Sequence, residues 1–229
     1  MSITAARSIT AFRDMRIVYQ MKARDIMDNS MSNKDVLVGA VAGFFLGLLL
    51  LSIAYNLKIY FPYQGTLLVV GVPLIWAIGI GISQFLARYI PFFNQLGKFV
   101  AAGVLNTALD FSVLNFVSRA TGITAGVVVG WVNVPGFVIA VINGYLWQRL
   151  WVFPRLDAGR HIFIDFPKFL VITIGGLLIN SWVIILVTTY LPIPETVREE
   201  VWLNVAKIIA TAFNLVWNIS GDNFVVFRK

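Results

Sequence analysis

Long apolar runs broken by short polar stretches dominate the chain, and none of them alternates with period two. Residues 36–57 and 66–87 hold no charged side chain. A third run, 99–118, is interrupted only by Asp110, and a fourth lies inside 120–147. Runs at 169–191 and 201–220 complete the series, the last interrupted by Lys207. About 20 apolar residues cross the hydrocarbon core of a bilayer. Lipid leaves no partner for free backbone groups, so only helices or a closed barrel can span it. Unbroken apolar runs select helices. The pattern predicts an all-α integral membrane protein with six transmembrane helices. It divides into a basic N-terminal segment (1–35), two transmembrane helices (36–90) and a four-helix membrane domain (95–229).

Composition agrees and narrows the classes. The 229 residues are 59% hydrophobic and 13% charged, against about 25% charged in soluble domains, with a mean hydropathy of +0.81. That excludes a soluble enzyme and a disordered chain. Without cysteine there is no disulfide framework and no thiolate nucleophile. Fourteen Lys and Arg fall on the side of the bilayer that holds both termini, three (Lys58, Arg119, Arg198) fall opposite, and Lys207 lies within a span. Positive-inside bias then predicts a multi-pass protein of the cytoplasmic (inner) membrane with both termini cytoplasmic. No apolar core close to residue 1 suggests a cleavable signal peptide. Residues 9–27 mix Phe12, Met15, Val18 and Tyr19 with basic residues, which suits an interfacial helix on anionic lipid or a loosely ordered basic tail. Gly39, Gly43 and Gly47 form a small-residue ridge for packing the first span on the repeat core or on a second copy. Pro73 and Pro135 predict kinks.

The last four spans contain a repeat. Residues from 98 read KFVAAGVLNTALDF and those from 168 read KFLVITIGGLLINS, an offset of 70 that sets Lys98 on Lys168 and Asp110 on Asn180. The units close alike, with WVF at 151–153 and VVF at 225–227, an offset of 74 that sets Asn133 on Lys207 and Gly144 on Asn218. Each unit is a two-helix hairpin starting and ending on the same side, so the copies are parallel repeats about an axis along the membrane normal. Lys98-Phe99 with Gly103, Asn106 and Asp110, then Asn143 and the run Gln148 to Phe153, then Ala206-Lys207, Asn214, Asn218 and Val226-Phe227 together resemble the GtrA-like family, which includes the transmembrane region of some dolichol-phosphate mannose synthases. The second unit departs from that family by closing with Asn223 and Val225 where a basic residue and an aromatic are usual. The first two spans lie outside the resemblance. The resemblance implies flipping of a polyprenyl-phosphate-linked sugar, with membrane lipid as surroundings and a glycosyltransferase or a second copy of the chain as possible partners. No nucleic acid is implied.

Ionisable groups in hydrocarbon are expensive and call for a partner. Asp110 stands about 18 Å from the cytoplasmic end of its helix and Lys207 about 9 Å from the outer end of its own. Their depths differ by about 4 Å in a slab about 30 Å thick, so they can pair, either as a lock between helices or as part of a substrate site. Asn106, Asn133, Asn143, Asn180, Asn214 and Asn218 lie within spans, as interhelical hydrogen-bonding groups or as the lining of a hydrated path for hydroxyl-rich ligands. Asn115 and Asn204, nearer the outer ends, are expected to be satisfied by water. Lys98, Lys168 and Arg149 are expected at helix ends beside Trp147 and Trp151. The ordinary reading there is positive-inside residues and an aromatic belt. The family resemblance makes Arg149 a phosphate contact, which its planar guanidinium suits. The candidate substrate-binding set is Asp110, Lys207, Arg149, Asn106, Asn143, Asn180, Asn214, Asn218, Lys98, Lys168 and Trp151. Catalytic motifs are absent, His161 is the sole histidine, and no cofactor or metal is expected, so the chain is not expected to be an enzyme. Besides a flippase, the sequence allows a scaffold that anchors a glycosyltransferase, or a small exporter of a soluble cation using Asp110.

Overall fold

The computed structural model describes residues 33–153 and 166–225, apart from the side chains at 166–172, 215–216 and 218–225. The segment expected to form an interfacial helix (9–27) and the loop carrying His161 lie outside the described residues. Six helices occupy the six predicted spans, with no strand among the described residues: α1 Asn33–Asn56, α2 Gln64–Ala87, α3 Phe92–Thr121, α4 Val128–Val152, α5 Phe166–Tyr190 and α6 Glu199–Val225. The first four, and the Thr173–Tyr190 part of α5, are long and apolar enough to cross a membrane. Helix α6 has 27 residues, about 40 Å at 1.5 Å per residue, and packs along α5. The chain is a multi-pass helical membrane protein. Phe44, Phe45, Leu74, Ile78 and Ile82 point outward, as they do when hydrocarbon is the solvent.

Helix α1 packs on α2 through its glycines. A Cβ at Gly43 would stand 2.8 Å from Pro73 Cα, one at Gly39 would stand 2.7 Å from Ile80 Cγ1, and one at Gly47 would collide with the Leu68 carbonyl. The ridge therefore serves the α1–α2 contact, and neither the repeat core nor a second copy uses it. Pro73 offers no N–H to the preceding turn, and the wide π-type turn Leu67–Gly71 lies directly before it. The adjoining strip of α1, Ala42 and Leu46, meets Leu105 and Ala108 of α3, so the added pair docks on the first helix of the repeat. Within the repeat, α3 packs on α4 and α5 packs on α6, with α4 against α5 between them.

The two ends differ. At the distal end, away from Lys98 and Arg149, the loops are tied together. Gly122 closes α3 in the left-handed region (φ 70) and donates to the Ser118 carbonyl at 2.8 Å. Arg119 donates to Asn56 Oδ1 at 2.9 Å and lies over the Tyr55 ring, Arg198 donates to the Leu57 carbonyl, and Thr124 donates to Glu199 at 2.8 Å. An apolar core of Leu114, Val129, Ile184, Leu203 and Ala206 fills the bundle beneath.

Candidate polar site on the repeat axis

The residues that the repeat made equivalent meet at the centre of the four-helix domain. Lys207 Nζ lies 2.6 Å from Asp110 Oδ2, 2.6 Å from Asn133 Oδ1 and 3.1 Å from Asn180 Oδ1. Asn133 Nδ2 in turn donates to Asn180 Oδ1 at 3.1 Å and to Ser181 Oγ at 3.0 Å. Exchanging the repeat units carries Asp110 onto Asn180 and Lys207 onto Asn133. The Asp110–Lys207 and Asn180–Asn133 contacts are thus images of one another about the two-fold axis. Lys207 is fully buried, and all three acceptors around it are protein atoms. A lone ammonium in hydrocarbon is intolerable, so a carboxylate and two amides around one Nζ account for its tolerance. Gly136 lets α4 approach this point: a Cβ there would come within 2.7 Å of the Asp110 carbonyl and 2.9 Å of Asp110 Oδ1.

Beyond this quartet, towards the basic end that holds Lys98 and Arg149, lie Asn106 and Asn143, with Nδ2 of Asn143 donating to Oδ1 of Asn106 at 3.3 Å. A Cβ at Gly144 would sit 3.1 Å from the Asn106 amide. Asn106 stands one turn before Asp110 and Asn214 two turns after Lys207, each on the face of its helix that carries the charged residue. Among the described residues four buried polar atoms have no hydrogen-bond partner: Asp110 Oδ1 and Asn214 Oδ1 on these faces, and Trp76 Nε1 and Asn94 Oδ1 elsewhere. Such orphans are rare in folded proteins. Lys168 and Asn218 fall on α5 and α6, but their side chains are outside the described residues.

The seam between α3 and α6 is asymmetric. Its symmetry image, α4 against α5, is packed. On α3, the face towards α6 is buried in the distal half at Asp110, Leu114 and Asn115. The same face in the basic half is open: Gly103, Val104 and Thr107 are exposed, and no atom lies within 4 Å of a Cβ placed at Gly103. On α6, Trp217 lies on the α5 side, its ring within 3.1 Å of a Cβ placed at Gly175.

Two expectations need correction. Asn115 and Asn204 do not depend on water: each amide donates to the other at 2.8 Å, both are buried, and they bolt α3 to α6 distal to the ion pair. Their depth had suggested bulk solvent, but the neighbouring helix covers them. Lys98 stands not at the end of a helix but in the second turn of α3, which begins at Phe92. An unexpected residue explains this: Asp35 of α1 lies 2.5 Å from Lys98 Nζ and accepts from Trp151 Nε1 at 2.9 Å. With its charge paired, Lys98 sits inside the helix at 8% exposure. Arg149 approaches the Tyr145 hydroxyl at 3.5 Å, and Trp147 packs edge-on against Trp151 at 5.3 Å.

A helical membrane domain built from two parallel hairpins around a shared polar axis is the class that this geometry defines. The family model for the GtrA/DPMS transmembrane domain matches residues 98–227, more than half of the chain, and the protein belongs to that family. No curated protein and no solved structure matches the chain.

Proposed function

We propose that the protein moves a polyprenyl-phosphate-linked sugar from the cytoplasmic to the outer leaflet of the inner membrane, for glycan or polysaccharide modification at the cell surface. The observation that carries this reading is the pair of buried, unpartnered acceptors, Asp110 Oδ1 and Asn214 Oδ1, beside a seam open on one half only. Sugar hydroxyls are the donors such acceptors lack. A lateral opening between α3 and α6 lets the isoprenoid chain stay in lipid while the sugar enters. The tied distal loops and the Asn115–Asn204 pair close the other side, so the conformation corresponds to one open to the cytoplasm. Arg149 and Lys168 at the basic end supply phosphate contacts. In this reading the chain has no catalytic residue, and its partners are the lipid-linked sugar and the glycosyltransferase that makes it.

A scaffold that anchors a glycosyltransferase is the second reading, favoured by the complete burial of Lys207, which suffices to hold helices together. Asn214→Leu separates the two. Its Oδ1 makes no protein hydrogen bond, and a buried unpaired carbonyl costs about 1–3 kcal/mol, so the substitution should leave stability equal or higher. In liposomes containing a short-chain polyprenyl-phosphate sugar, a flippase loses protein-dependent movement of sugar to the oxidant-accessible leaflet when Asn214 becomes Leu. Absence of any acceleration by the wild-type protein would transfer the case to the scaffold.

A further inference from the structure

Two hydrogen-bond donors of the family domain converge on one carboxylate from outside it. Lys98 Nζ reaches Asp35 Oδ2 at 2.5 Å and Trp151 Nε1–H reaches Asp35 Oδ1 at 2.9 Å. Lys98 also lies over the Trp151 ring, 5.9 Å from its centroid. Lys98 and Trp151 both fall within residues 98–227, whereas Asp35 belongs to the added helix α1. The cluster lies on the α1 side of α3, packed among Ile80, Ala101, Ala102 and Val152, away from the seam towards α6. It is thus separate from the transport path proposed above.

We propose that Lys98 and Trp151 form an anion-binding site for a phosphate group, and that Asp35 is its resident occupant in this chain. One cation and one directed N–H, placed to meet two oxygens of the same planar group, recognise a carboxylate and a phosphoryl oxygen pair alike. The surroundings are apolar, which strengthens charge-assisted contacts and penalises an empty site. Asp35 stands in the first turn of α1, so a small displacement of that helix end uncovers the donors at the level of lipid headgroups. A phosphate can come from a lipid headgroup or from solution, and the site exchanges Asp35 for either by the same contacts.

The test uses the full-length protein in detergent, titrated with geranyl phosphate, inorganic phosphate and geraniol, and read by calorimetry and by the melting temperature. Asp35→Asn removes the competing charge and keeps an acceptor for Trp151. It should bind geranyl phosphate at least about tenfold more tightly than wild type, gain melting temperature from it, and ignore geraniol. Adding Lys98→Met should abolish that gain. Equal competition by inorganic phosphate identifies a soluble ligand, and failure to compete identifies a lipid headgroup. If Asp35→Asn proves unstable, Asp35→Ala is titrated the same way, and rescue of its melting temperature by phosphate supports the site. If neither variant gains affinity or stability from any phosphate, the proposal is overturned. Wild-type translocation in the same variants leaves the transport reading intact, because that reading depends on Asp110 and Asn214.

Discussion

Replacing Lys207 with Met leaves a side chain of similar length and removes the positive charge at the centre of the bundle. Three acceptors then lose their donor: Asp110 Oδ2, Asn133 Oδ1 and Asn180 Oδ1. Asn133 Nδ2 still reaches Asn180, so the amides keep part of their bonding, whereas the Asp110 carboxylate is left buried without a counter-charge. Breaking one side of a buried ion pair costs about 3–5 kcal/mol. With roughly 2–4 °C per kcal/mol for a chain of this size, the midpoint should fall by roughly 6–20 °C. The assay is thermal unfolding of purified protein in a mild detergent, followed by tryptophan fluorescence. The double variant Asp110→Asn with Lys207→Met has no net charge to bury and should recover most of the loss, since removing both partners of a buried pair is often neutral. A Lys207→Met protein within about 0.5 kcal/mol of wild type, the ordinary scatter of harmless substitutions, would refute the account of the axis. So would a double variant no better than the worse single one.

Two further outcomes follow from contacts elsewhere in the bundle. Asn115→Leu leaves Asn204 Oδ1 buried without a donor, while Nδ2 keeps the Glu200 carbonyl, and should cost about 1–3 kcal/mol; Asn115→Leu with Asn204→Leu should regain most of it, as measured by a double-mutant cycle of melting temperatures. Gly47→Ala drives a methyl into the Leu68 carbonyl and should destabilise by about 1–3 kcal/mol, while Gly79→Ala, which meets nothing within 4 Å, should be neutral in the same measurement.

The architecture was legible because hydrocarbon enforces it. A segment that satisfies its own backbone must be helical, so long apolar runs located all six helices. Alignment of the repeat set Asp110 on Asn180 and Asn133 on Lys207, but equivalence under a two-fold axis brings residues together only where they lie on that axis, and the alignment did not say that these do. Depth along the helix placed Asp110 opposite Lys207. The boundary of α3 was misplaced because Lys98 read as the edge of a span, an inference that holds only for an unpaired charge.

By itself the sequence determined the class of the molecule, the number of its helices, the repeat and the two charges that had to find each other, since each follows from local composition or from register within the chain. Tertiary structure alone decided which side of α3 faces the added helices, that the α3–α6 seam opens at one end while its image stays packed, and that Asp35 is the partner of Lys98. Asp35 and Trp151 are 116 residues apart, and no periodicity or motif connects them. Their meeting depends on where α1 docks, and that is fixed by the glycines that let it lie flat on α2 and by the small residues of α3 beneath it.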